Sequence, residues 1–103
     1  MSKLASSLIE RRSRPDQVAP RVFAIREHLG MSKAEFSEAV SVDRSSLTKI
    51  EKGTAGLDIA VAERIAELFG FGLDFIYRGD LADVPLAHRP EILSLMHSHR
   101  TTL

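Results

Sequence analysis

The chain has 103 residues, a formal net charge of zero and 44% apolar residues. That length supports one domain with a single core of about five helices, and that apolar content argues against disorder throughout. No apolar run approaches the length that spans a bilayer, and with no cysteine there is no disulfide or thiolate metal site, so a cytoplasmic protein is expected.

The first fifteen residues carry two readings. Leu4, Ala5, Leu8 and Ile9 suit one amphipathic turn or two, far too short for the apolar core of a signal peptide. Arg11, Arg12 and Arg14 follow, then Pro15. The segment is either a basic arm that reaches phosphate or a minor groove, or a frayed and solvated terminus. A helix is expected next, from Gln17 or Pro20 to Leu29. Pro20 suits its first turn, where a missing amide costs little. Val22, Ile25 and Leu29 give its inward stripe with Phe23 beside it, and Gly30 ends it.

The stretch from Lys33 to Lys52 organises the rest. Ser32 followed by Glu35 is a capping box for a helix from about Lys33 to Val40. Asp43 can cap a second helix, and Ser41, Val42 and Asp43 have the length of a helix-turn-helix corner. Phe36, Val40, Val42, Leu47 and Ile50 would share one core. At about 100° per residue, Leu47 and Ile50 turn inward while Ser45, Thr48, Lys49 and Lys52 turn outward, with Arg44 at the N-terminal end. That outer face is either an ordinary solvated surface or one that reads base edges and holds phosphates in a major groove.

Thr54 to Leu57 is a loop. Asp58 is expected to cap a helix with Ile59, Ala62, Ile65, Ala66 and Phe69 as its stripe, broken by Gly70 and Gly72. Leu73 to Tyr77 is a short fifth helix stopped by Gly79, and its Phe75, Ile76 and Tyr77 either close the core or meet a partner chain. From Leu81 to Leu103 the sequence predicts extended chain and one short helix with Pro90 in its first turn. Ile92, Leu93, Leu95 and Met96 share one side of it. This tail either folds back or joins a second subunit. His97 and His99 point about 200° apart on a helix and no third ligand is in view, so no metal site is expected.

Charge is divided along the chain. Lys3, Arg11, Arg12, Arg14, Arg21 and Arg26 face Glu10, Asp16 and Glu27 in residues 1–30. Arg64 and Arg78 face Asp58, Glu63, Glu67, Asp74, Asp80 and Asp83 in residues 54–83. Such a dipolar chain can present a cationic face at zero net charge. No Gly-rich phosphate loop, nucleophile elbow or metal-spaced His and Glu pair occurs, so no enzyme and no cofactor is expected.

Three blocks in order resemble the Cro/phage-repressor (XRE-type) family of helix-turn-helix DNA-binding domains. They are RVFAIREHLGMS (Arg21 to Ser32), the motif itself ending IEKG (Ile50 to Gly53), and ERIAELFGFGLDFIYRGD (Glu63 to Asp80). The resemblance covers roughly Gln17 to Asp80. It implies an all-α fold: a compact five-helix repressor-like domain over residues 16–80, with a basic extension at 1–15 and a tail at 81–103. It implies a sequence-specific transcriptional regulator, a repressor, that binds an inverted repeat in double-stranded DNA as a homodimer. Arg44, Ser45, Thr48 and Lys49 would contact bases. Ser32, Lys33, Lys52 and Arg26 would contact phosphates, and Arg26 would also pair with Glu51. An antitoxin that represses its own operon and binds a toxin, or a protein-interaction module of the same fold, are the alternatives. Three positions depart from the family. The loop after Gly53 lacks lysine and arginine, Ser37 replaces the usual alanine, and Ser41 replaces the usual glycine at a left-handed position, at a cost of roughly 1 kcal/mol.

Overall fold

The computed structural model describes residues 12–102. The expectations for Leu4, Ala5, Leu8, Ile9 and Arg11 lie outside them. The described chain is helical, with no strand among those residues.

The first long helix, α1 (Pro15–His28), starts earlier than expected. Pro15 has the fixed φ and missing N–H that suit the first helical position, and the Arg14 carbonyl accepts from Gln17 N (2.9 Å) and Val18 N (3.0 Å). Pro20 therefore lies inside the helix, one turn further on than the sequence predicts. Its ring removes the donor for the Asp16 carbonyl, at an exposed residue where water can take the place of that donor. Val18, Ala19, Val22, Ala24 and Ile25 are buried, and α1 becomes the central strut.

Around it stand α2 (Lys33–Ala39), α3 (Arg44–Lys52), α4 (Ile59–Phe69) and α5 (Leu73–Arg78). Two 3-10 turns, Leu81–Asp83 and Leu86–His88, lead into α6 (Arg89–Thr102). Helix α1 packs on α3, α5 and, most extensively, α6; α2 leans on α3 and α4 on α5. Phe36, Ile25, Leu47, Ile65, Phe71, Phe75, Ile76 and Ile92 fill one core. Phe36 stacks on Phe69 with ring centroids 5.8 Å apart.

In α4 two expectations are corrected. Asp58 is the N-cap by backbone geometry, but its side chain makes no capping hydrogen bond. Ile59 is 52% exposed, and Val61 takes its place inside with Ala62 and Ile65. At 3.6 residues per turn, Ile59 lies roughly 110° from the centre of the arc through Val61, Ala62, Ile65 and Phe69. In α5, Phe75 and Ile76 are buried in the core, and Tyr77 is half-buried with its hydroxyl donating to the Leu57 carbonyl (2.8 Å). Burial raises the Tyr77 pKa, and the charges of Asp58 and Glu63 add to the effect.

The tail is not extended. Asp83 folds back so that its carbonyl accepts from Gly72 N (3.1 Å) and its carboxylate from Asp74 N (2.9 Å), capping α5 from a distance. A Cβ on Gly72 would lie 1.9 Å from that carboxylate, so only glycine admits it. Helix α6 then lies along α1. Ile92 is buried, Leu95 and Met96 are half-buried, and Leu93 points out. Among the described residues, no helix is long and apolar enough to cross a membrane.

Ser41 has φ +56°, the left-handed conformation that costs an L-residue about 1–2 kcal/mol. Ser41→Gly is expected to stabilise the fold by about 0.5–1 kcal/mol once the extra flexibility of unfolded glycine is deducted. Urea unfolding measures this, and a loss of stability would mean that the serine side chain compensates its own strain.

Candidate nucleic-acid interface

The outward surface of α2 and α3 is fixed by chemistry at the helix ends. Ser32 Oγ accepts from Glu35 N (3.1 Å), and Ser32 N donates to the Glu35 carboxylate (2.9 Å). At the other end of α2, Arg64 Nε donates to the Val40 carbonyl (2.7 Å), placing a cation where the helix dipole is negative. The buried Ser37 hydroxyl bonds back to the Lys33 carbonyl, which satisfies it inside the core. Val42 N donates to Ser37 O (3.0 Å), closing the turn.

Asp43 then holds the start of α3. One carboxylate oxygen accepts from Ser46 N (2.6 Å) and Ser45 Oγ (2.9 Å), and the other accepts from Ser46 Oγ (3.1 Å). These bonds, the one from the Ser46 backbone first, hold the Asp43 carboxyl below the usual carboxylate range. Bonds from Ser32 do the same for Glu35. Gly53, at φ +80°, ends α3. A Cβ there would sit 3.0 Å from the Asp16 Cα, so glycine also lets α1 approach the end of α3.

Helix α3 is two-sided. Leu47, Ile50 and Glu51 are buried, whereas Arg44, Ser45, Lys49 and Lys52 are exposed and Thr48 is half-exposed. The Thr48 hydroxyl donates to the Arg44 carbonyl (3.0 Å), so it and Ser45 keep only acceptor capacity toward a ligand in this arrangement. Ser32 is exposed and Lys33 half-exposed at the start of α2. The loop after α3 adds no cation; its Thr54 hydroxyl donates to the Lys49 carbonyl (3.2 Å) and closes the helix end.

Arg26 does not share that surface. It is buried, its Nε and Nη2 donate to the two Glu51 oxygens (2.7 and 3.0 Å), and its Nη1 donates to the Met31 carbonyl (2.9 Å). Burial works against its charge, but the hydrogen bond and charge of Glu51 outweigh this and raise its pKa. With those donors spent internally, Arg26 is placed to orient α3 rather than to meet a phosphate. The main-chain carbonyl of Glu51 accepts from the buried His99 Nε2 (2.6 Å), which fixes the proton on that nitrogen. His99 also sets its ring edge-on to Phe23 at 5.1 Å. Nothing in the sequence points to this link, because it joins residues far apart along the chain. Arg21 is likewise a supporting residue. It is buried, bonds the Arg12 (2.8 Å) and Ile76 (3.1 Å) carbonyls, and closes the end of α5; burial and then the nearby Arg12 lower its pKa. Among the described residues, no group of three or more His, Cys, Asp or Glu could hold a metal ion.

The helix-turn-helix family model of Cro/C1 (XRE) type matches residues 22–76, just over half of the chain. The protein belongs to that family of DNA-binding regulators. No curated protein and no solved structure matches the chain.

Arg26→Ala strands a buried carboxylate and is expected to cost about 3–5 kcal/mol in urea unfolding. Arg26→Met combined with Glu51→Leu removes both charges and is expected to recover most of that loss. A double variant as unstable as the single one would show that packing, not charge, is at stake.

Acid gives a second test. Asp43 and Glu35 have lowered folded-state pKa values, so they contribute stability above the unfolded carboxylate range of about 4. That contribution is lost as pH falls through the folded values. Asp43→Asn keeps an acceptor for Ser46 N but cannot titrate, so its stability is expected to fall less steeply with acid. Superimposable parent and variant profiles would exclude Asp43 from the linkage.

Proposed function

We propose that this regulator is a sequence-specific repressor that binds an inverted repeat in double-stranded DNA as a homodimer, with α3 in the major groove. The observation that carries this is the division of α3 between a buried side fixed by Leu47, Ile50 and Glu51 and an exposed side bearing Arg44, Ser45, Lys49 and Lys52. Helix α3 is held at both ends by Asp43 and Gly53, so the exposed side chains are presented from a rigid frame.

Arg44 stands at the N-terminal end of α3, the end that enters the groove in this class of motif. Its planar fork can donate to both O6 and N7 of a guanine, and Lys49 can reach the same acceptors one turn later. Ser45 and Thr48 support the reading with acceptor oxygens. Ser32, Lys33 and Lys52 flank α3 and suit phosphates, which fix register and carry no sequence information. Arg26 is left out of the phosphate set because it is buried on Glu51. A protein seated in the groove excludes other proteins from the same base pairs, which is the physical basis of a repressor role.

Selection from random duplexes followed by titration tests the proposal. Arg44→Ala is expected to cost about 1–3 kcal/mol on the best site and to relax preference at one base pair per half-site. Lys33→Ala is expected to weaken all sequences by a similar factor and to shallow the salt dependence by about one unit of slope. An unchanged base preference in Arg44→Ala would displace the reading face. A folded parent that enriches no duplex would favour a protein-interaction role for the same surface.

A further inference from the structure

We propose that the hollow between the chain at Arg12, just before α1, and the end of α5 binds the phosphate group of a small phosphorylated molecule. The hollow has a volume of about 460 Å³ and is lined by Arg12, Arg78, Gly79, Asp80 and Leu81. None of these residues belongs to α2 or α3. Sites for small molecules typically occupy ~300–1,000 Å³.

Three guanidinium groups meet there. Arg12 and Arg78 are exposed and line the hollow from the α1 and α5 sides. Arg21 backs the wall at Gly79. A Cβ on Gly79 would lie 2.9 Å from Arg21 Nη2 and 3.3 Å from its Nε, so the backbone of the hollow rests on this guanidinium. Arg21 is only 7% exposed. Its Nη1 bonds to the Arg12 and Ile76 carbonyls hold the chain at Arg12 against the end of α5. Its Nε is buried and has no hydrogen-bond partner among the described residues.

The charges do not balance. Among the described residues, none of the three arginines forms an ion pair. Asp80 is the one carboxylate in the lining, and its Oδ1 already accepts from Ala82 N (3.0 Å). Three cations against one carboxylate leave a surplus of positive charge. Burial and then Arg12 work against the charge of Arg21. An anion in the hollow would turn this repulsion into attraction. A phosphate monoester carries about 1.5–2 negative charges at pH 7 and three strong acceptor oxygens, which suits the surplus better than a singly charged carboxylate. Guanidinium forks match phosphate oxygens in pairs. Leu81 offers apolar contact to the body of such a ligand. Cations gathered on one hollow favour a compact dianion over the singly charged, extended backbone of DNA.

Titration with inorganic phosphate at constant ionic strength tests the site. The parent is expected to bind phosphate saturably, and the NMR signal of the buried Arg21 Nε–H is expected to shift along the same curve. Arg12→Gln and Arg78→Gln are each expected to weaken phosphate about tenfold. Urea unfolding without phosphate is expected to be unchanged in both, since both side chains are exposed. A response that never saturates overturns the proposal, as does an Arg21 Nε–H signal that stays in place. So do glutamine variants that bind phosphate as the parent does. Duplex DNA decides the source of the phosphate. Arg78→Gln is expected to keep the parent's duplex affinity and salt dependence. A salt slope shallower by about one unit would assign the site to the DNA backbone and overturn the free-molecule reading. The phosphate titration needs no duplex, so a parent that binds no DNA sinks the repressor function and leaves this site standing.

Discussion

The buried pair of Arg26 and Glu51 is the constraint on which the placement of α3 depends. Two charges removed from water gain little net stability from each other, because desolvation offsets most of the attraction. What the pair supplies is position. Both oxygens of Glu51 are occupied by one guanidinium in a bidentate arrangement, and that guanidinium is itself tied to the Met31 carbonyl at the entry to α2. A rotation of α3 about its axis would break two hydrogen bonds and leave charge unpaired in the core. The orientation of the exposed side chains is therefore set from the buried side of the same helix.

The motif was legible in the sequence because its determinants are local. Ser32 with Glu35, Asp43 with Ser46, and Gly53 each satisfy helix-end groups within a few residues, so spacing alone reveals them. The burial of Leu47 and Ile50 follows from helical period. Ile59 and Asp58 were harder for an opposite reason. Val61 and Ile59 are interchangeable to a pattern, and only the direction of packing on α5 decides which turns inward. The start of α1 fell between two prolines, each acceptable at a first position, and periodicity does not choose between them. The Arg26–Glu51 pairing comes from the family resemblance, with projection placing Glu51 only near the inward edge of α3. On α6 the sequence groups Leu93 with Ile92, Leu95 and Met96 on one side, but Leu93 turns outward while the other three face the fold; the helix is also held by a bond from His99 to a backbone carbonyl, which has no sequence signature.

The helix ends also explain how a chain of zero net charge can offer a cationic face. Two acidic side chains near the face, those of Asp43 and Glu35, are engaged in structure. Asp43 binds the first turn of α3 through both oxygens, and Glu35 returns to the Ser32 amide. Their charge faces helix N-termini, where the backbone dipole partly cancels it. Arg44, Lys49 and Lys52 carry no ion pair among the described residues and stay exposed. The loop after Gly53 instead uses Thr54 to finish α3. Backbone grip on DNA thus falls to Ser32, Lys33 and Lys52 in the proposed complex, fewer cations than a basic loop would add, and sequence selectivity carries a larger share of the affinity.

Helix α6 ties the tail of the chain to the recognition helix. Its inner side ends at His99 on the Glu51 carbonyl, next to the pair that orients α3. A tail helix docked along α1 and fixed at its far end by His99 is thereby tied to the same packed body as α3. A disturbance of α6 would then reach the orientation of α3 through the Glu51 carbonyl, without any direct contact between the tail and a base in the proposed complex.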